Sequence, residues 1–90
     1  MKRQSVTVED IDHIIGSSAV AATKLGQKTT VVCMTLPNGF EMVASSSCVD
    51  PANYNHQVGV DICLNRIRDR IWELEGYVLQ TDLAKGDPTV

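Results

Sequence analysis

Cys48 and His56 are the side chains that come nearest to a nucleophile and a base in this sequence. Nucleophilic catalysis by a thiol needs a base within hydrogen-bonding distance, and a spacing of eight residues across a predicted helix start does not by itself bring two side chains together. The carboxylates show no spacing diagnostic of general acid–base work, and there is no GxGxxG or GxxxxGK[ST] phosphate-binding motif. The residues therefore favour a protein that is not an enzyme, and a small hydrolase using Cys48 is the least favoured alternative.

Two arginines have a spacing that suits an anionic ligand. Arg66 and Arg70 are four residues apart in a predicted helix and so share one face, whereas Arg68 points elsewhere. The pair can form a fork for phosphate groups. The same spacing is equally typical of a solvated face in which the arginines pair with Asp69 and Glu73. The sequence leaves both interpretations open.

Asn53 and Tyr54 stand at the predicted start of the same helix. An amide and an aromatic ring at a helix start are groups that a nucleotide ligand uses for hydrogen bonding and stacking. Alternatively, Asn53 caps the helix and Tyr54 lies at the rim of the core. Two further aromatic residues, Trp72 and Tyr77, are interpreted as core or interface residues.

Metal and disulfide chemistry lack their usual patterns. The chain has three cysteines, Cys33, Cys48 and Cys63, which are widely spaced and form no CxxC pair. His13 and His56 have no ligand spacing such as HExxH. An odd cysteine count without short spacings is not a disulfide framework. We expect three free thiols in a reducing cytoplasm, no metal and no cofactor.

The composition bounds the class of protein. Ninety residues make one small domain. Eight Lys and Arg against eleven Asp and Glu give a net charge of −3, so we expect no DNA or RNA partner. No apolar run reaches the roughly 18–20 residues of a membrane span, and the N-terminus lacks the apolar core of a signal peptide. We predict one domain over residues 1–90, with frayed ends at about 1–6 and 84–90.

The first half of the chain predicts a helix followed by a hairpin. Apolar residues recur at helical spacing from Thr7 to about Lys24, with Thr7 as the N-cap. The β-branched run from Thr29 to Leu36 predicts a strand, and Pro37-Asn38-Gly39 predicts the turn. The returning strand is expected over 40–44, with Phe40, Met42 and Ala44 on one face.

The second half predicts a long helix. Asp50-Pro51 is a helix-start signal, and an apolar face continues to about Leu74. Glu75-Gly76 ends the regular pattern, so Tyr77-Val78-Leu79 is expected to return towards the sheet, either as a third strand or as a docking segment. The fold class that follows is α+β: an N-terminal helix, an antiparallel β-hairpin or small sheet, and a long C-terminal helix in a single domain.

The predicted hairpin or small sheet needs a helix, further strands or a second subunit packed against it. A lone hairpin is marginally stable in water, and a two- or three-stranded sheet has exposed edges. We therefore expect a homodimer or a larger homo-oligomer, with Trp72 or the hairpin near the interface.

Three segments of the chain resemble a family of small proteins of tailed phages and prophages. They are LPNGFEMV at 36–43, SSCVDPANY at 46–54 and DRIWELEGY at 69–77, together with Gly59. The resemblance covers residues from about 29 to 79, and CVDPANY and IWELEGY are its specific parts. One departure is Ala44-Ser45, where relatives often have Gly-Glu before the Ser-x-Cys, and this changes a polar group that bears on ligand preference.

The resemblance implies a Thoeris anti-defence protein that acts as a sponge in the host bacterial cytoplasm. Such proteins bind cyclic ADP-ribose isomers, and some bind cyclic oligonucleotide signals, without cleaving them. They assemble as dimers or larger rings with signal pockets between protomers. In this chain the expected ligand-binding residues are Phe40 and Tyr54 on a base or ribose, Asn53 on a polar edge, and Arg66 and Arg70 on phosphates.

A second function remains open. A small phage protein can also inhibit a host protein by covering part of its surface with a hydrophobic patch. The two hypotheses differ in what they bind, because a sponge takes up a small anionic nucleotide and an inhibitor does not.

Overall fold

A computed structural model describes residues 4–86 as two helices and a three-stranded sheet. Helix α1 spans Val8–Gly16, and the strands are β1 (Ala19–Leu25), β2 (Thr29–Thr35) and β3 (Glu41–Ser47). A short 3-10 turn at Pro51–Asn53 leads into helix α2, His56–Lys85. The sheet is antiparallel in the order β1-β2-β3, so the predicted α+β class is confirmed.

The prediction of one long N-terminal helix is wrong in its second half. Helix α1 ends at Gly16, and Ser18 turns its hydroxyl back to the carbonyl of Ile14 at 2.6 Å. Glycine and serine are weak helix formers, so the chain can leave the helix here at little cost. The segment Ala19–Leu25 then pairs along its whole length with β2, from Ala19 opposite Thr35 to Leu25 opposite Thr29. Ladder formation with β2 outweighs the helical propensity of this alanine-rich segment.

The hairpin of β2 and β3 follows the prediction closely. Strand β2 alternates between buried and half-buried residues, and its partner strand β3 begins one residue later and ends three residues later than expected. Gly39 takes φ +92° in the connecting turn, a conformation that suits glycine. Met42 is buried and Ala44 half-buried, whereas Glu41 and Val43 lie on the opposite, exposed face. The predicted alternation of faces is confirmed for these residues.

The prediction that the chain returns towards the sheet after Gly76 is also wrong. Helix α2 continues through Gly76 to Lys85, a length of 30 residues. A single glycine costs a helix only about 1 kcal/mol, which the helix-forming residues on both sides offset. Thirty residues make a helix of about 45 Å, whereas a seven-residue strand spans about 23 Å. The C-terminal part of α2 therefore projects past the sheet, and Tyr77 there is 75% exposed.

The start of α2 lies later than Asp50-Pro51. Asp50 instead caps the 3-10 turn, its carboxylate accepting the N–H of Ala52 at 2.9 Å. Asn55 is the N-cap of α2 and accepts the N–H of Val58 at 3.1 Å. Residues 84 and 85, expected to be frayed, belong to α2. Of the other residues expected to be frayed, 1–3 and 87–90 lie outside the described part of the chain.

The core lies between one face of the sheet and α2. Four residues of α2 at intervals of four are buried, and they face alternate residues of β2 and β3. Helix α1 closes one end of this core through Ile11, which is fully buried. The buried apolar cluster is Ile11, Val32, Met34, Met42, Cys63, Ile67 and Ile71.

Helix α1 is held by its N-cap and by an ion pair with α2. The Thr7 hydroxyl accepts the N–H of Asp10, and the Asp10 carboxylate accepts the N–H of Thr7. This reciprocal capping box satisfies two N–H groups at the helix start and confirms Thr7 as the N-cap. Arg68 of α2 pairs with Asp12 of α1 at 2.8 Å. None of the helices in residues 4–86 combines the length and apolarity that a membrane span requires.

Candidate functional site

The two predicted phosphate-binding arginines lie on the same flank of α2, and both reach strand β3. Arg66 donates to the backbone carbonyl of Ser45, and Arg70 donates through Nη1 to the carbonyl of Val43 at 3.0 Å. Each guanidinium has five N–H donors, so these bonds leave most of the donors free. Both side chains are exposed, and the pair remains accessible to an anionic ligand.

The alternative of a local salt-bridged face is realised by a different arginine. Among residues 4–86 the ion pair is formed by Arg68 and not by Arg66 or Arg70, and its partner Asp12 belongs to α1. Spacing within α2 could not indicate this pair, because the two residues are 56 positions apart in sequence.

A small pocket lies next to the arginine flank. It has a volume of about 110 Å³ and lies between the start of α2 and the nearby ends of β2 and β3. Two of its lining residues, Val58 and Ile62, precede Arg66 at intervals of four on α2, so the pocket and both arginines follow one flank of the helix. Its polar lining includes Lys28, Ser46, Ser47, Asn53, Tyr54 and Asn55.

Tyr54 is the centre of a polar cluster at one side of this pocket. Its hydroxyl is hydrogen-bonded to the Thr30 hydroxyl at 2.8 Å and to Nδ1 of His56 at 3.0 Å. The Lys24 ammonium lies 4.7 Å from the centre of the tyrosine ring, within range of a cation–π interaction. These contacts fix the ring in place, so Tyr54 offers a preorganised aromatic surface beside a positive charge.

The buried hydroxyl of Thr30 depends on a glycine in α2. A Cβ atom placed on Gly59 would lie 2.2 Å from the Thr30 hydroxyl oxygen. The absence of a side chain at Gly59 is therefore what lets the helix approach β2 closely enough for Tyr54 to bond to Thr30. Gly59 belongs to the resembling segments, and its packing role was not apparent from the sequence.

The structure separates Phe40 from the other predicted site residues. Phe40 follows the β2–β3 turn at the far end of β2, where its carbonyl accepts the N–H of Leu36. Tyr54 bonds to Thr30, which precedes Leu36 by six residues. Six residues correspond to about 20 Å along a strand. Within one protomer, Asn53 and Tyr54 line the pocket just before α2, the arginines lie on the flank of α2 that reaches β3, and Phe40 lies at the opposite end of the sheet.

The thiol and imidazole that most resembled a catalytic pair have other partners. The Cys48 thiol lies 3.3 Å from the carbonyl of Asp50, and the His56 ring bonds to Tyr54. In residues 4–86 no three His, Cys, Asp or Glu side chains cluster as metal ligands do. What the pocket offers is hydrogen-bond donors, a fixed ring and positive charge.

A comparison with family models shows which family the chain belongs to. A family model described as phage protein (N4 Gp49/phage Sf6 gene 66) matches residues 6–83. The chain belongs to this phage protein family. No curated protein and no solved structure matches the chain significantly. The predicted resemblance to phage proteins is confirmed, and the anti-defence activity stays a prediction.

Proposed function

We propose that this phage protein binds and sequesters a cyclic nucleotide immune signal in the host cytoplasm without cleaving it. The ligand is a cyclic ADP-ribose isomer or a cyclic oligonucleotide. The observation that carries the proposal is the continuous flank of α2 from the pocket beside Tyr54 to Arg66 and Arg70. A nucleotide needs an aromatic surface for its base and charge-assisted donors for its phosphates, and this flank has both.

The charge distribution supports a small anion rather than a nucleic acid. The whole chain carries a net charge of −3, which repels an extended phosphate backbone. The cations of the site are nevertheless concentrated near the pocket: Lys24 over the Tyr54 ring, Lys28 in the lining, and Arg66. A short anion can occupy such a local positive region without meeting the acidic remainder of the surface.

The pocket volume limits how much of the ligand one protomer holds. About 110 Å³ is well below the roughly 300–1,000 Å³ of pockets that enclose whole small molecules. The pocket can therefore take one base or one phosphate group, and the rest of the ligand lies along the arginine flank or against a second copy.

Alanine substitutions in the arginine flank test the site. Replacing Arg70 with alanine should weaken binding of a cyclic ADP-ribose isomer by roughly 1.5–3 kcal/mol, the scale of a hydrogen bond to a charged group. Arg66→Ala should do the same. Calorimetric titration of each purified variant with the isomer measures the loss directly.

Arg68→Ala is the matched control for these variants. Arg68 is on the same helix but is held by Asp12 on a different flank, so its removal should leave the affinity within about threefold of the parent's. Equal weakening by all three substitutions would show a general charge effect. Unchanged affinity in the Arg66 and Arg70 variants would move the site elsewhere, with Asn53 and Tyr54 as the next residues to substitute.

One observation favours the alternative of a protein inhibitor. The projecting part of α2 exposes apolar side chains, with Leu74 at 40%, Val78 at 47% and Tyr77 at 75% exposure. An amphipathic helix can lay such residues into a groove of a partner protein. Two results together would replace the sponge by the inhibitor function. The protein takes up no nucleotide, and the double variant Tyr77→Ala/Val78→Ala loses inhibition of the host protein while the arginine variants keep it.

A further inference from the structure

The hydrogen-bond ladder determines which backbone groups of the sheet face outward. At one end of β2 the N–H of Leu36 donates to Phe40, and at the other the N–H of Cys48 donates to Lys28. In an antiparallel pair, the residues that bond to one neighbour alternate with those that bond to the other. The even-numbered residues of β2 therefore bond to β3, and the odd-numbered residues bond to β1.

This alternation leaves one edge of β1 unpaired. Ala21 and Thr23 lie opposite odd-numbered residues of β2 and bond inward. Val20, Ala22 and Lys24 therefore direct their N–H and C=O groups away from the sheet. These outward groups have no hydrogen-bond partner within residues 4–86, and every residue of β1 is exposed.

At the opposite edge of the sheet, which β3 forms, outward backbone groups have side-chain partners. The outward carbonyls of Val43 and Ser45 in β3 are occupied by Arg70 and Arg66. Charged side chains at an edge are a common way to prevent strand addition. The contrast is specific: the arginines occupy carbonyls of β3, whereas in the described chain β1 carries no proline, no bulge and no side chain bonded to its outward groups. The one charged side chain of β1, Lys24, lies over the Tyr54 ring instead.

We propose that β1 pairs antiparallel with β1 of a second copy about a two-fold axis at Ala22. In this register Ala22 opposes Ala22 of the partner subunit, and Val20 opposes Lys24 of the partner subunit. All three outward residues of each copy then find partners, which joins two sheets into one of six strands. The register is self-complementary, as a two-fold interface requires, and it does not place two lysines directly opposite each other.

The surface of the protomer supports a second copy as the occupant. A monomer of 9.8 kDa is expected to expose about 5,200 Å², whereas this chain exposes 6148 Å². The excess of roughly 950 Å² is of the size that each partner buries in a stable interface, about 800 Å², and the projecting end of α2 accounts for part of it. Val20, 49% exposed beside the free edge, adds apolar surface to the backbone pairing.

The proposed dimer also forms a groove. The side chains of Val20, Ala22 and Lys24 lie on the same face as α2, because their partners in β2 are the inward-facing Met34, Val32 and Thr30. Each α2 packs on β2 and β3, so the axes of the two helices would be about four strand spacings, or 19 Å, apart. With helices about 10 Å wide, the groove between them would be about 9 Å across.

Proline at Ala22 tests the pairing. The N–H of Ala22 points outward, so Ala22→Pro removes no bond between β1 and β2 but breaks the pair at the two-fold axis. Sedimentation velocity of the ligand-free protein should show a dimer for the parent and for Ala22→Thr, which keeps the N–H. The dimer of Ala22→Pro should dissociate at about 100-fold higher concentration or be lost.

A pair of charge variants tests the same strand register without proline, so it applies even if the proline variant unfolds. Val20→Lys places two lysines opposite each other across the interface and should weaken the dimer about tenfold. Adding Lys24→Glu to that variant places Lys and Glu opposite each other and should restore the dimer. A monomeric parent at high micromolar concentration, or a charge exchange without rescue, overturns the proposal. Nucleotide uptake is measured separately on the parent protein, because Lys24 also lies over the Tyr54 ring of the proposed site.

Discussion

Replacing Gly59 with alanine should destabilise the protein by about 2–3 kcal/mol, the scale of overpacking in a core. The new methyl group would lie 2.2 Å from the Thr30 hydroxyl oxygen and 2.8 Å from its Cβ. Thr30 is fully buried in the central strand, and β-branched side chains have few alternative rotamers. Either α2 moves away from the sheet or Thr30 loses its bond to Tyr54, and urea denaturation at fixed protein concentration measures the cost.

Gly76→Ala in the same helix should change the free energy of unfolding in the opposite direction. Nothing lies within 4 Å of a Cβ at Gly76, so this substitution should stabilise the protein by about 0.8–1 kcal/mol through helix propensity. The two substitutions make the same chemical change in one helix and should differ in sign. A stabilising effect at both positions would contradict the close packing of α2 on β2.

Replacing Ile67 with alanine should cost about 3–4 kcal/mol, within the range for large-to-small changes in a core. Ile67 is fully buried, between Cys63 and Ile71 in the line of α2 that faces the sheet. A domain of this size has few such residues, so one cavity removes a large part of its marginal stability. The midpoint of thermal or urea unfolding gives the change.

The control for Ile67 is an apolar residue beyond the sheet. Val78 is 47% exposed on the projecting part of α2, so Val78→Ala should change the unfolding free energy by no more than about 0.5 kcal/mol. A loss at Val78 as large as at Ile67 would mean that the projecting helix is buried, as in an interface that involves α2.

The elements that local chemistry determines were predictable from the sequence. The β-branched run in β2 and the turn at Pro37-Asn38-Gly39 are sufficient signals for the hairpin. Ala19–Leu25 is different, because alanine, lysine and leucine favour a helix and only pairing with β2 makes the segment a strand. Gly76 indicated a helix end, but the sequence around it carries the helix onward.

The site was predictable residue by residue but not as an arrangement. The four-residue spacing of Arg66 and Arg70 places them on one flank of α2, as found. Their carbonyl partners in β3 depend on how α2 packs across the sheet, which no local pattern specifies. Lys24 meets Tyr54 only because its segment is a strand beside β2, so the mistaken helix concealed that contact.

Recovery of the ligand after heating tests the central claim most directly. The purified protein is incubated with a cyclic ADP-ribose isomer, freed of unbound ligand and denatured by heat, and the released molecules are identified by mass spectrometry. A protein that sequesters a nucleotide signal in its Tyr54–Arg66–Arg70 site releases the isomer intact, and Arg70→Ala releases much less. Release of a hydrolysed product, or no uptake of cyclic ADP-ribose isomers or cyclic oligonucleotides, would contradict the proposed function.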